Sequence, residues 1–238
     1  IESQYLVPLI KDYTKSNKQI EIGGYDAFCF VAEGMLTKNA KHYVKWGEAN
    51  RYDQRSVTKN QRPWYKPTNQ MTSAAKILVP RSFNNSYVVY HNPKSYLSLR
   101  FYRFHLKKGN ELQMLAFLNS TLIALILETL GNKALGQGVL DFFMADFLAL
   151  RIPIVQVKEL ETAYIKIRRR PIQSVWQEYG TEEAAGTKPV LKPLTDRKNL
   201  DDVVFDTLGL TKGERNAVYE ALIDLVESRL KKARSLTD

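Results

Sequence analysis

The side chains best suited to binding chemistry lie in one polar stretch, residues 45–67, which we call the basic loop. Lysine and arginine neutralise phosphates, whereas arginine, glutamine and asparagine form hydrogen bonds with base edges. Trp64 and Tyr65 add aromatic rings, which stack on planar groups or pack beside sugars. This combination favours a polyanion, most of all DNA or RNA, as the partner of the chain.

The positive charge is concentrated in the first half of the 238 residues. Residues 1–108 hold 18 lysines and arginines against 7 aspartates and glutamates, while residues 109–238 hold 17 against 18. The net charge of +10 therefore comes from the first half. A single surface cation is most often simply solvated, so the prediction rests on the cluster and not on any one member.

Side-chain chemistry divides the candidate DNA contacts into two sets. Compact or flexible cations are predicted to contact phosphates: Lys45, Lys59, Lys66, Arg81 and Lys94. Planar or forked donor groups are predicted to contact base edges: Arg51, Gln54, Arg55, Asn60, Gln61 and Arg62. For Trp64 and Tyr65 we favour anchoring of the loop to the core, with base stacking as the alternative.

The sequence lacks the motifs of several enzyme classes. His42, His91 and His105 are widely spaced and have no metal-ligand partners, so we expect no metal site. The single cysteine, Cys29, lies in an apolar run and is expected to be buried, which fits a reducing, intracellular compartment. Neither a nucleophile elbow nor a phosphate-binding loop is present. We therefore expect a binding protein without catalytic residues.

One stretch could instead belong to a metal-dependent nuclease. Residues 196–198 have the Asp-x-Lys spacing, and Glu182 and Glu183 precede them. These side chains lie in a predicted linker, where no strand would hold them in a preorganised geometry. The nuclease is therefore a minor alternative, which magnesium-dependent cleavage would reveal.

The elements that must position these residues predict an α+β fold, in which a small strand-rich domain is surrounded by helices and followed by a helical extension. Strands are predicted at residues 27–31, 76–80, 87–91 and 98–106. Helices are predicted at residues 37–46, 111–130, 155–180 with an interruption at 168–171, 200–208 and 212–234. The apolar helix 111–130 contains too many polar groups for a membrane span, so it is predicted to be buried.

Two domains follow from these elements. The first comprises residues 1–154 and carries the basic loop and the buried helix. The second comprises residues 155–238 and is helical, with a linker at residues 181–195 where glycine, alanine, threonine and proline replace apolar residues. Thr211 and Glu214 have the spacing of a capping box at the start of the last helix.

Several motifs occur together in an order typical of one protein family. They are residues 5–11, 62–65, 77–80, 118–122, 135–141, 200–206, 208–210, 218–222 and Arg229. Over residues 5–234, this order resembles the C-terminal, target-recognition half of adenine-specific (N6) DNA methyltransferases. The similarity is to the TaqI-like branch and to related restriction–modification enzymes.

The resemblance implies a division of labour within a longer polypeptide. In that family an upstream domain binds S-adenosylmethionine and holds the flipped adenine beside an Asn-Pro-Pro-Tyr type motif. This sequence has no such motif and begins with Ile1, so we expect a fragment without catalytic residues or a cofactor of its own. The implied partners are double-stranded DNA and the upstream methyltransferase domain, in a prokaryotic cytoplasm and without a membrane. The parent enzyme could also carry a restriction endonuclease.

Two other binding functions remain open at this point. The basic surface could bind an acidic protein, in which case binding to DNA would ignore sequence and disappear at modest salt. The chain could also bind RNA, since RNA readers mostly stack unpaired bases on aromatic side chains. The DNA target sequence and the oligomeric state do not follow from the residues.

Overall fold

The computed structural model describes residues 1–11, 18–67, 73–133, 138–181 and 191–235. These residues form a mixed α+β fold, as the sequence predicts. The helices are α1 (Lys38–Ala49), α2 (Glu111–Leu118), α3 (Thr121–Leu130), α4 (Met144–Ala149), α5 (Lys158–Ile167), α6 (Val175–Tyr179), α7 (Thr195–Leu208) and α8 (Lys212–Arg234). The strands are β1 (Leu6–Ile10), β2 (Ala27–Phe30), β3 (Ile77–Pro80), β4 (Ser82–Phe83), β5 (Tyr90–His91), β6 (Leu97–Ser98), β7 (Phe101–Phe104) and β8 (Leu140–Asp141).

The strands form small sheets and not one large layer. The first sheet has the order β2-β1-β6, with β2 antiparallel and β6 parallel to β1. The second has the order β5-β3-β7 and is antiparallel throughout, so that Leu78 lies between Tyr90 and Arg103. β4 pairs with β8 in a third, two-stranded sheet. Apolar and aromatic side chains along these strands favour half-buried, pleated surfaces.

One hydrophobic core joins both halves of the chain. It includes Ile77 of β3, Phe117 of α2, Tyr164 of α5 and Leu200 of α7, all almost completely buried. α5 packs between α2 and α7, so helices from both sides of residue 154 share this core. The predicted boundary at residues 154 and 155 therefore does not separate two hydrophobic cores.

The predicted helix 111–130 is wrong as one continuous element. It is broken at Asn119 and Ser120, and its two parts meet at 59°. The Asn119 side chain accepts a hydrogen bond from the Val89 backbone N–H (3.1 Å) and donates to the Val89 carbonyl (2.9 Å). The Ser120 hydroxyl accepts from the backbone N–H of Ile123 and so starts α3. Side chains that hydrogen-bond to backbone groups compete with helical continuation, which explains the break.

None of the described helices alone is long and apolar enough to cross a membrane, although the bent pair α2 and α3 together meets the criterion by length and composition. Met114, Leu115, Phe117, Ile123 and Leu127 of this pair are buried in the main core. The pair thus packs as interior helices of the fold.

A buried carboxylate, Asp201, connects three helices. It accepts hydrogen bonds from the backbone N–H of Thr121 (2.8 Å), the Thr121 hydroxyl (2.5 Å) and the Tyr219 hydroxyl (3.2 Å). Burial raises the pKa of Asp201, and the nearby Arg197 and the Thr121 hydrogen bonds oppose this rise. α3, α7 and α8 are therefore joined at one point by satisfied polar contacts inside the core.

Arg197 connects this carboxylate to a second set of ion pairs. Its Nε lies 3.0 Å from a carboxylate oxygen of Glu178. The same oxygen lies 2.6 Å from Nη2 of Arg170. Arg170 Nε lies 2.7 Å from Asp196. Arg197 also donates to the backbone carbonyl of Asn119, next to the break between α2 and α3. We call Thr121, Asp201, Tyr219, Arg197, Glu178, Arg170 and Asp196 the buried network.

These contacts bear on two interpretations of residues 181–198, the nuclease and the linker, although residues 182–190 lie outside the described part of the chain. Asp196 is paired with Arg170, and Lys198 is paired with Asp202 at 2.5 Å, so both charged side chains of the Asp-x-Lys pattern take part in ion pairs. Glu182 and Glu183 lie outside the described residues. The described ends of the predicted linker pack on α6, because Lys192 and Leu194 donate backbone hydrogen bonds to its last residues, and residue 195 already begins α7.

A third buried contact fastens the long C-terminal helix. Arg229 of α8 pairs with Glu128 of α3 at 2.9 Å, and both side chains are almost completely buried. The guanidinium also donates to the carbonyls of Asn84 (2.6 Å) and Gly138 and to the Tyr87 hydroxyl (3.1 Å). The capping box predicted at Thr211 and Glu214 starts the same helix.

Replacing Arg229 by alanine is expected to lower the free energy of unfolding by about 3–5 kcal/mol, because Glu128 would remain buried without its main partner. Urea unfolding measures this change. Lys232→Ala, at an exposed position on the same helix, is the control and should change stability by less than about 0.5 kcal/mol. Equal effects of the two substitutions would contradict the assignment.

Lowering the pH is expected to destabilise the chain through Glu178. Burial opposes ionisation of this carboxyl, but Arg197 and Arg170 outweigh it and hold its pKa below the usual 4.5. The stabilisation is thus present above pH 4.5 and is lost as the pH falls through the folded-state pKa. Urea unfolding at several acidic pH values measures this effect. As the pH falls, the free energy of unfolding should decrease less in Glu178→Gln than in the exposed control Glu220→Gln. Identical pH profiles would disprove this contribution.

Candidate nucleic-acid interface

α1 carries a row of cations on its exposed face. Thr37 caps the helix by accepting a hydrogen bond from the Ala40 N–H (3.3 Å), while Ala40, Val44 and Gly47 face the interior. Lys38, Lys41 and Lys45 recur at i, i+3 and i+7 and are all exposed, so they share the opposite side. We call these three residues the lysine face.

An open groove runs along the lysine face. Its lining includes Lys38, Lys41, Lys45 and Tyr65, with Glu48 as an acidic member. The sequence predicts the short basic helix, yet only Lys45 of this face is among the predicted contacts. The helical spacing of Lys38 and Lys41 is the signal that could have added them.

The basic loop begins inside α1, since residues 45–49 form the last turns of that helix. Arg51 then adopts a left-handed backbone conformation (φ 57°, ψ 29°) and starts a short 3-10 turn, Tyr52–Gln54. The backbone N–H groups of Thr58 and Lys59 both donate to the Arg55 carbonyl, at 2.9 and 2.8 Å. The loop thus begins directly at the end of α1 and is held in turns by its own backbone hydrogen bonds.

Trp64 and Tyr65 pack against the rest of this region. The Trp64 ring lies directly on Gly47, where a Cβ would overlap it, and the indole N–H donates to Glu48 (3.2 Å). Tyr65 packs in a small core with Tyr5, and its ring lies 6.2 Å from that of Phe30. Both rings hold the end of the loop against α1 and β2, which is the geometry that anchoring requires.

The cations of this region are not used in ion pairs. Within the described part of the chain, no ion pair includes Lys45, Lys59 or Lys66, and all three are exposed. The cations after α5 behave differently: Arg168 and Arg169 both pair with Glu21, at 3.0 and 2.9 Å. The loop and the lysine face therefore carry positive charge that no described acidic side chain compensates by an ion pair.

The predicted base-edge contacts differ in availability. Gln61 donates from its amide to the Val57 carbonyl (2.8 Å), and Arg62 donates to the carbonyls of Lys59 (2.9 Å) and Gln61 (2.7 Å). Four exposed side chains make no hydrogen bond to any other described residue: Arg51, Gln54, Arg55 and Asn60.

The structure brings most predicted contacts together and leaves two elsewhere. Those of residues 45–66 lie on one continuous segment with α1. Arg81 stands between β3 and β4, with its guanidinium 5.2 Å from the Tyr102 ring. Lys94 belongs to a turn closed by the Ser95 N–H and the Asn92 carbonyl (2.9 Å). Arg81 and Lys94 therefore need their own test.

The histidine and cysteine positions offer no alternative site. His91 is buried between Glu21 (3.6 Å) and Glu111 (3.3 Å), and burial lowers its pKa. Among the described residues, no group of three or more His, Cys, Asp or Glu side chains could hold a metal ion. Cys29 is half-buried and not fully buried as expected, because it lies on β2, the outer strand of its sheet.

The fold is similar to that of known proteins. Residues 12–182 match the family model of the C-terminal domain of the Type II methyltransferase M.Eco57I. Because the match covers well over half of the chain, the chain belongs to this family of methyltransferase C-terminal domains. The resemblance predicted from the motifs is thereby confirmed.

A solved structure shows the same fold in a larger protein. The chain resembles the type IIG restriction endonuclease BpuSI with a TM-score of 0.53 and 10% sequence identity. The similarity covers 98% of this chain but 27% of that protein, so the chain spans about a quarter of its length. A comparison with curated protein sequences gave no match.

Gly47→Ala is expected to displace Trp64 and loosen the loop, because the added Cβ would overlap the indole ring. Trypsin should then cleave faster after Arg51, Arg55 and Lys59. Gly213→Ala in α8 is the matched control, since a Cβ there meets nothing within 4 Å. Alanine favours helix at both sites, so propensity alone would leave both proteins as resistant as the original. Equal resistance of both variants would argue against this anchor.

Proposed function

We propose that this chain is the region that recognises duplex DNA in an adenine-N6 methyltransferase of a restriction–modification system. The observation that carries the proposal is the exposed, unpaired set of cations on the lysine face and the basic loop. Membership in a family of Type II methyltransferase C-terminal domains supports DNA as the polyanion. Membership in this family also supports a role beside a catalytic domain.

The surface has the two kinds of group that specific DNA binding needs. Lysines at helical spacing supply positive charge along one edge, and this charge attracts the phosphate backbone without regard to sequence. The forked and planar donors of the loop, next to that edge, supply hydrogen bonds to base edges. A non-specific polyanion binder would need only the first set.

The catalytic step is expected to lie in an upstream domain of the same polypeptide. That domain would bind S-adenosylmethionine and hold the adenine, while this chain holds the surrounding duplex. Flipping a base from the duplex costs a few kcal/mol, and contacts to the flanking DNA offset that cost. No cofactor is assigned to the residues of this chain.

Removing the lysine face should weaken DNA binding in a salt-dependent way. Each lost phosphate contact reduces the magnitude of the negative slope of log K against log salt by about 0.9, so Lys38→Ala/Lys41→Ala/Lys45→Ala should reduce that magnitude by up to about 2.7. Fluorescence anisotropy of the 238-residue chain with labelled duplex DNA, over a series of salt concentrations, measures this slope.

The control removes the exposed lysines of α5, Lys158→Ala/Lys166→Ala, and should leave the slope unchanged. The same salt series with Arg81→Ala and with Lys94→Ala shows whether these two cations, which lie outside the basic loop, contact DNA. Absence of salt-sensitive binding to duplex DNA by the original chain would overturn the proposal. Stronger binding to single-stranded RNA of the same length would favour an RNA-binding module instead.

The adenine and cofactor parts of the proposal need a separate measurement. The polypeptide with its upstream domain should transfer a labelled methyl group from S-adenosylmethionine to duplex DNA. Nucleoside analysis of the product should then show N6-methyladenine. A methylated cytosine would overturn the adenine assignment while leaving DNA recognition intact.

A further inference from the structure

A row of aromatic rings runs from β2 to the basic loop and ends at an arginine. The rings of Phe30 and Tyr43 have centroids 5.3 Å apart, and Tyr43 stacks on Trp46 at 5.6 Å with an interplanar angle of 15°. Trp46 lies 5.5 Å from Tyr52, and the Arg55 guanidinium lies 4.0 Å above the Tyr52 ring. We call the four rings the aromatic ladder.

The ladder and the loop backbone both restrict Arg55. Its carbonyl accepts the Thr58 and Lys59 N–H groups, and the Thr58 hydroxyl donates to it as well (3.2 Å). Its side chain rests on Tyr52, which stacks back through Trp46 to β2. A guanidinium held against a ring loses less conformational entropy when it forms further hydrogen bonds.

The donors of Arg55 remain available to a ligand. The guanidinium carbon lies over the Tyr52 ring, and the N–H groups form no hydrogen bond to any described residue. The acids of the basic loop are Glu48 and Asp53, and Glu48 accepts the Trp64 indole N–H. Across the described residues, neither acid forms an ion pair with Arg55, and the side chain is exposed.

The other arginines of the loop lack this combination. Arg62 spends donors on two carbonyls of its own loop. Arg51 is exposed, but no ring contact to it occurs in the described structure. Arg55 is thus the arginine whose side chain is both held in place and free to donate.

We propose that Arg55 reads a guanine in the DNA target, with the aromatic ladder positioning its guanidinium. This inference rests on the proposed function. Two parallel N–H groups of arginine match O6 and N7 of guanine in the major groove, and no other base pair offers that pair of acceptors in the same place. Tyr52 is a positioning residue, because it acts through Arg55.

The test measures sequence preference with a randomised duplex library. The 238-residue chain is incubated with the library, and sequencing of the bound fraction gives the preference at each position. The original chain should enrich a guanine at one position. Arg55→Ala should reduce that preference about tenfold or more, and Arg55→Lys should weaken it because lysine lacks the planar fork, while preferences at other positions persist.

The lysine variant separates recognition from charge. Arg55→Lys keeps the positive charge, so binding to a non-specific duplex should stay near that of the original chain. Tyr52→Leu should also weaken the guanine preference, although Arg55 is retained. Arg151→Lys, at an exposed position outside the loop, is the matched control and should preserve the preference.

Each outcome bears on one proposal. An unchanged guanine preference in Arg55→Ala, or salt-sensitive binding by the original chain without any guanine enrichment, would overturn the role of Arg55 and leave DNA binding intact. If the original chain did not bind duplex DNA at all, the proposed function itself would be overturned. Loss of preference in both Arg55 variants, with non-specific binding retained, would support the inference.

Discussion

The fold depends on polar groups that are buried and satisfied by one another. Asp201 and Arg197 lie inside the helical half, where a single unpaired charge would be very unfavourable. Each is therefore surrounded by partners from several helices, and these partners require one relative placement of α3, α6, α7 and α8. Apolar packing would tolerate small shifts between helices, whereas directional hydrogen bonds and ion pairs tolerate few.

This arrangement also decides where positive charge remains. Glu178, Asp196 and Glu128 form ion pairs with three arginines of the C-terminal half, Arg170, Arg197 and Arg229. The cations of α1 and the basic loop have no such partners in the described structure, so their field reaches solvent. The charge imbalance between the two halves of the sequence thus appears in the structure as a basic surface on one part of the molecule.

The residues of the family motifs and those of the basic loop have different places in the structure. Asn119, Asp201 and Arg229, which belong to the motifs, are buried and hold helices and turns together. The loop carries the exposed donors and is fastened at one end by Trp64. A recognition surface of this design can change its contacts by substitution in the loop, because the core contacts do not pass through it.

Local signals in the sequence determined much of the structure: the α+β class, the basic helix, the cap at Thr211 and the separation of charge. These depend on residue spacing and composition within short windows, which a sequence displays directly. Tertiary structure decided what depends on distant partners: the break at Asn119, which bonds Val89, and the contrast between Arg55 and Arg62. The sequence shows no difference between the two arginines. In the structure Arg55 lies on the Tyr52 ring, whereas Arg62 donates to backbone carbonyls of its own loop.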